Sequence, residues 1–140
     1  MTDVYLVDKS ALARVSRHPE VQAALERLDE NGVLATTAVI DLEVGYSART
    51  LAEFDSVAND RAALYQDLPM TLAVTDRARQ VQRELVRTGR HRGPGVSDLL
   101  IAATAELYGA TVVHYSRDFD TVAAITTQAA EWIVPAGSVP

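Results

Sequence analysis

The chain has no cysteine and only three histidines, His18, His91 and His114. A disulfide framework, a thiol nucleophile and a zinc site built on thiolates are therefore excluded, and a histidine-rich metal site is not expected. Aromatic residues make up only 6%, too few for a platform that stacks single-stranded bases. No apolar run approaches the ~18 residues of a membrane span. Met1-Thr2-Asp3 lacks the basic start of a secretory leader, so the cytoplasm is the expected compartment and no membrane is expected as a partner. The net charge of −6 argues against a nucleic-acid binder that works by bulk positive charge.

What is present begins with the length. A chain of 140 residues suits a single domain, expected to span 1–140, which can bury roughly two-thirds of its unfolded surface. Lysine occurs once, at Lys9, and the other twelve cations are arginines. Six of those arginines fall between Arg77 and Arg92. Such a segment places local positive charge beside acidic groups in an acidic chain. The plainer reading is a solvated helix face.

Apolar runs alternate with helical periodicity. Val4–Val7 reads as a buried strand that ends at Asp8-Lys9-Ser10. Pro19 opens a helix through Leu28, which Asn31-Gly32 stops. Val33–Thr36 is a second strand, and Thr37 caps a helix through Tyr46. A helix covers Leu51 to about Tyr65. Leu72-Ala73-Val74 reads as a third strand or edge segment, and Thr75-Asp76 as the cap of the arginine helix. Ser97-Asp98 caps a helix over Leu99–Tyr108. Thr111–Tyr115 is a strand, Phe119 to about Ile125 a short helix, and Trp132–Val134 a last strand. Strands alternating with helices of this length predict an α/β fold: a three-layer α/β/α sandwich around a mainly parallel sheet. Ligands of such sheets bind beyond the carboxyl ends of the strands.

Acidic residues cluster at those ends. Asp8 follows the first strand, Glu43 lies in the helix after the second, and Asp98 starts a late helix. Ser116, Asp118 and Asp120 follow the penultimate strand. Carboxylates packed together raise one another's pKa unless a cation intervenes. Oxygen-only donors favour Mg²⁺ or Mn²⁺, and such an ion suits phosphodiester hydrolysis. Each acid also has an ordinary explanation: Asp8 as a turn residue, Asp98 as a favourable charge at a helix start, Glu43 on a narrow solvent face with Asp41. Arg79, Arg83 and Arg87 form one stripe opposite Ala78, Val81 and Leu85. Arg90, His91 and Arg92 extend it toward Gly93-Pro94-Gly95. These arginines are candidates for gripping a polynucleotide backbone, with local pairing to Glu84 as the alternative. The apolar residues of the 51–65 helix exceed one stripe, which suggests either a partner surface or burial in the core.

Four blocks carry a resemblance: Val7–Leu12 (VDKSAL), Asp41–Arg49 (DLEVGYSAR), Ser97–Ala105 (SDLLIAATA) and His114–Asp120 (HYSRDFD). Together they span nearly the whole chain and resemble PIN-domain ribonucleases, above all the VapC toxins of VapBC toxin–antitoxin systems. The resemblance implies a Mg²⁺- or Mn²⁺-dependent endoribonuclease toxin acting on structured RNA such as tRNA or rRNA. It also implies a homodimer, and neutralisation by a VapB-type antitoxin lying across the active groove. Asp8, Glu43 and Asp98 match three acidic positions of the family, as catalytic and metal-binding residues. Ser10 matches the Ser/Thr that hydrogen-bonds behind the first acid. The fourth acidic position falls on Ser116, a neutral hydroxyl, with Asp118 as a possible substitute. Two rivals follow. One is a PIN module that binds RNA or antitoxin without cutting, favoured by Ser116. The other is a phosphatase with Asp8 as covalent nucleophile, disfavoured because Ser10 stands where such enzymes carry a second Asp.

Overall fold

The computed structural model describes residues 2–140. Five strands form its sheet: β1 (Asp3–Val7), β2 (Gly32–Thr36), β3 (Gln66–Asp67), β4 (Thr111–His114) and β5 (Ala129–Trp132). The order is β3-β2-β1-β4-β5, and every adjacent pair is parallel. The central strand β1 sets the register, with Tyr5 opposite Leu34 on one side and Thr111 on the other. Parallel neighbours require crossovers, and the helices supply them.

The alternation of the strands distributes the core. Leu6, Ala35 and Val112 point to one face, and Val7, Leu34 and Val113 to the other. On the first face pack α3 (Ala38–Tyr46), α5 (Leu72–Arg87), α6 (Val96–Tyr108) and α7 (Arg117–Ala123), through Ile40, Val81, Ile101 and Phe119. On the second lie α1 (Lys9–Leu12) and α2 (Pro19–Asn31), with Ile133, Val134 and Val139 of the C-terminal segment. This is the three-layer sandwich the sequence predicts. Among the described residues no helix is long and apolar enough to cross a membrane.

Local chemistry sets the boundaries. Gly109 ends α6 with φ of 66°, a left-handed conformation that costs glycine nothing sterically. Gly45 lets α3 meet α4 (Leu51–Leu64), since a Cβ there would stand 2.8 Å from the Phe54 ring.

Several expected boundaries are corrected. Leu72-Ala73-Val74 is the first turn of α5 and not a strand. The Thr71 hydroxyl accepts from Val74 N–H, and the buried Val74 joins Ala78, Val81 and Leu85 on one face. Leu72 and Ala73 are good helix formers, and packing of the stripe overrides the β preference of Val74 alone. The edge strand β3 forms instead at Gln66–Asp67. Helix α6 starts at Val96, capped by Gly95, so Asp98 sits in its first turn and Ser97 is not the cap. Thr37 does cap α3, but its hydroxyl donates to Leu68 O at 2.8 Å instead of closing the helix. Strand β4 stops at His114, α7 starts at Arg117, and β5 covers Ala129–Trp132 with Ile133 and Val134 beyond it. Helix α4 buries none of its residues in this chain: Leu51, Phe54, Val57 and Leu64 are all exposed.

Candidate active site

Strand order reverses at β1, because the chain runs outward to β2 and β3 on one side and then returns to place β4 on the other. The crevice beyond the carboxyl ends of β1 and β4 is therefore where such a sheet takes a ligand. Asp8 follows β1 directly, and Ser116 and Asp118 follow β4.

Backbone bonds lace the two loops together. Asp8 N–H donates to Val113 O at 2.9 Å. Tyr115 N–H donates to the Ser10 hydroxyl at 2.8 Å, and Ser10 N–H donates to Asp8 Oδ2 at 3.0 Å. Ser10 thus holds the β4 exit with its side chain and Asp8 with its backbone. Asp8 is nearly buried, at 6% exposure.

Glu43 enters from α3, and Asp98 from the first turn of α6. Asp98 Oδ2 accepts from Gly95 N–H at 2.9 Å. Burial, then the charges of Asp8 and Asp98, push the Glu43 carboxyl above its usual range, while Lys9 opposes them. Asp98 is also pushed up, by burial first and then by Asp118 and Asp8, against the lowering effect of the Gly95 N–H. Four acids from four distant segments are therefore electrostatic neighbours. Glu43 Oε1 is buried without a hydrogen-bond partner.

This donor set fits a small divalent cation. The ligands are hard oxygens, the carboxylates repel one another, and one buried oxygen lacks a partner. Among the described residues no group of three or more His, Asp or Glu side chains is placed closely enough to hold an ion as they stand. Asp8 and Asp98 each keep one oxygen on a backbone N–H of their own loop.

The two candidates for the fourth corner separate. Ser116 is the N-cap of α7, and its hydroxyl accepts from Asp118 N–H at 3.3 Å. That turn brings Asp118 against Asp98 and close to Gly93, where a Cβ would be 3.5 Å from Asp118 Oδ1. Asp120 leaves the site and accepts from Trp132 Nε1 at 3.0 Å. We expect Ser116→Ala to lower stability by about 1 kcal/mol through the lost cap while leaving Mn²⁺ affinity within a few-fold of wild type, and Asp118→Asn to weaken that affinity about tenfold. Parallel melting curves and calorimetry would check both; a reversed ranking would return the fourth corner to Ser116.

The arginines divide as well. Arg79 pairs with Asp76 and Arg87 with Glu84 on the surface of α5. Two of the three stripe residues are thus locally paired, as the plainer reading holds. Arg90 and Arg92 are exposed in the turn before Gly93–Gly95, the segment that touches Asp98 and Asp118. Arg117, unremarked in the sequence, is exposed between Ser116 and Asp118.

His114 closes the site from below and was also missed. It is fully buried, and its Nδ1 accepts from Ser116 N–H at 3.1 Å. Its ring contacts Phe119 and Trp132 at centroid distances of 5.1 Å. Burial holds its pKa below the ordinary value, against the raising effect of Asp120 and Asp8, and with Nδ1 accepting a hydrogen bond its Nε2 faces Asp120 Oδ1 at 4.0 Å. The only sequence signal was a histidine at the end of an apolar strand.

Two grooves flank α3. One of about 450 Å³ borders the acids and is lined by Lys9, Glu43, Ser97, Leu42, Tyr46 and Leu100 among others. A larger one, about 790 Å³, lies between α3 and α4, away from the acids, and includes Phe54, Val57 and Arg61.

The PIN-domain family model matches residues 5–125. The chain belongs to the PIN-domain family. Within that family its sequence falls with VapC proteins of Mycobacterium tuberculosis. It is 44% identical to Ribonuclease VapC51, over 96% of both chains. It is 43% identical to Ribonuclease VapC21 of strain H37Rv, over 99% of both. This PIN domain also has the fold of VapBC2 from Rickettsia felis, solved bound to a promoter DNA fragment, with TM-score 0.76, 19% identity, and coverage of 91% of this chain and 97% of that one. VapBC-1 from nontypeable Haemophilus influenzae superposes with TM-score 0.77 at 13% identity, covering 93% and 98%.

Proposed function

We propose that this VapC-family PIN domain is an endoribonuclease toxin that hydrolyses phosphodiester bonds of structured RNA with a divalent ion, Mg²⁺ or Mn²⁺. What supports the reading is the mutual repulsion of Asp8, Glu43, Asp98 and Asp118 near the switch in strand order, with no arginine among the described residues bonded to them. The ribonuclease names of relatives at 43–44% identity support it.

Asp8, Asp98 and Asp118 would hold the ion. When bound, it supplies polarisation of a phosphoryl oxygen and acidification of water. Glu43, with its unpartnered Oε1 and raised pKa, orients the attacking water and takes its proton, a role that suits a carboxyl poised above its usual range. Ser10 holds Asp8 through the loop bonds above. Arg90, Arg92 and Arg117 hold the flanking phosphates as charges that need no base contact. The whole chain acts as one domain in the cytoplasm and dimerises. A VapB-type antitoxin would neutralise it, and the exposed apolar side of α4 supports such a protein contact.

The purified chain should cut total RNA in the presence of Mn²⁺ or Mg²⁺. Excess EDTA should reduce cutting at least about a hundredfold, and added ion should restore it. Retention of RNA without ion-dependent fragments would point instead to the binding-only module, and EDTA-insensitive cutting would remove the ion from the scheme.

A further inference from the structure

Lys9 is the one lysine in a chain whose other twelve cations are arginines. Its ammonium donates to Glu43 O at 2.9 Å and to the Ser47 hydroxyl at 2.8 Å. Glu43 O belongs to the last turn of α3, where carbonyls lack a helical partner and a positive charge is favourable. A compact ammonium with three donors meets a carbonyl and a hydroxyl four residues apart; the flat guanidinium fork is shaped for carboxylates and phosphates. Lys9 also lines the groove shared with Glu43 and Ser97. Among the described residues no arginine is hydrogen-bonded or ion-paired to Asp8, Glu43, Asp98 or Asp118.

We propose that Lys9 is a positioning residue with a second, electrostatic role: it pins the α3 turn that carries Glu43, and its fixed charge partly neutralises the acid cluster, so that it opposes binding of the divalent ion. The inference rests on the nuclease reading above. The geometry explains both parts. Lys9 follows Asp8 in the chain and crosses to α3, so one side chain ties the first acid's loop to the second acid's helix. Two of its donors are held in place, and the charge therefore remains beside Glu43. Because a lysine and a cation that neutralise the same acids are linked thermodynamically, removing one must tighten the other.

The test compares Lys9→Met and Lys9→Arg with wild type by Mn²⁺ calorimetry and by RNA cleavage kinetics. Lys9→Met should bind Mn²⁺ about fivefold more tightly. Its kcat should fall about tenfold through the displaced Glu43, with KM for RNA unchanged within about twofold. Lys9→Arg keeps the charge, so its Mn²⁺ affinity should match wild type, while its kcat stays low because the fork cannot reproduce both bonds. Unchanged or weaker Mn²⁺ binding by Lys9→Met would overturn the countercharge. A raised KM with kcat preserved would overturn the positioning role, since Lys9 would then be gripping RNA. If the wild-type chain takes up Mn²⁺ yet cuts no RNA, the nuclease reading fails while the calorimetric test of Lys9 stands. If it takes up no Mn²⁺, both fall.

Discussion

Asp98→Asn should lower RNA cleavage at least about a thousandfold, equivalent to roughly 4 kcal/mol of lost transition-state stabilisation, with the fold intact. Asparagine preserves the shape, and its side-chain oxygen can still accept from Gly95 N–H, the bond that fixes the start of α6. What disappears is one negative charge in a cluster where Asp8 and Asp118 already disfavour it. Removing that charge relieves repulsion, so the ion-free variant should melt no lower than wild type. Mn²⁺ affinity should fall together with activity, because a neutral amide is a poor substitute for a carboxylate on a hard cation. The measurements are circular dichroism, thermal melting, calorimetry and RNA digestion at matched ion concentration. Wild-type cutting by a folded Asp98→Asn protein would remove Asp98 from the chemistry.

Phe119→Ala should cost about 3–5 kcal/mol of folding stability, a large fraction of the ~5–15 kcal/mol that holds a domain together. Phe119 is fully buried and is the largest side chain in the core without exposure. It lies in α7, a helix of seven residues, too short to persist without tertiary contacts. Its ring packs on His114 at 5.1 Å, and it belongs to the same cluster as Ile101 and Val122. Truncation leaves a void that the surrounding residues fill only in part. The melting temperature should drop by roughly 10–20 °C. Asp118 precedes Phe119 in α7, so cleavage should also fall at temperatures where the variant is still mostly folded. A loss of less than 1 kcal/mol in urea titration would mean that α7 is held by other contacts.

The reading of the sequence was most secure where one property decided the outcome. Apolar runs rich in β-formers at Val4–Val7 and Thr111–Tyr115 read as strands, and both form them, with β4 stopping at His114. Acids after a strand, within the helix that follows one, or in the first turn of a late helix were visible as Asp8, Glu43 and Asp98, and in the structure their charges act on one another. The reading slipped where two outcomes had similar local energies. Leu72-Ala73-Val74 is a short apolar run whose length alone does not separate strand from helix, but Thr71 offers a cap and Val74 continues the buried stripe of α5. The apolar excess of α4 was visible, but not its exposure, because no pattern within one helix tells whether another chain or its own core covers that face.

The sequence by itself determined the class of fold, the supply of oxygen ligands and the exclusion of thiol chemistry, because periodicity and composition are properties of the chain alone. Only the tertiary structure decided that Asp118 and not Ser116 stands against Asp98, that the arginine stripe is largely paired on its own helix, and that Lys9 reaches Glu43. The reason is geometric. Those outcomes depend on which way a side chain turns at a helix start, and on contacts between residues 34 positions apart in the chain, which local preference cannot rank.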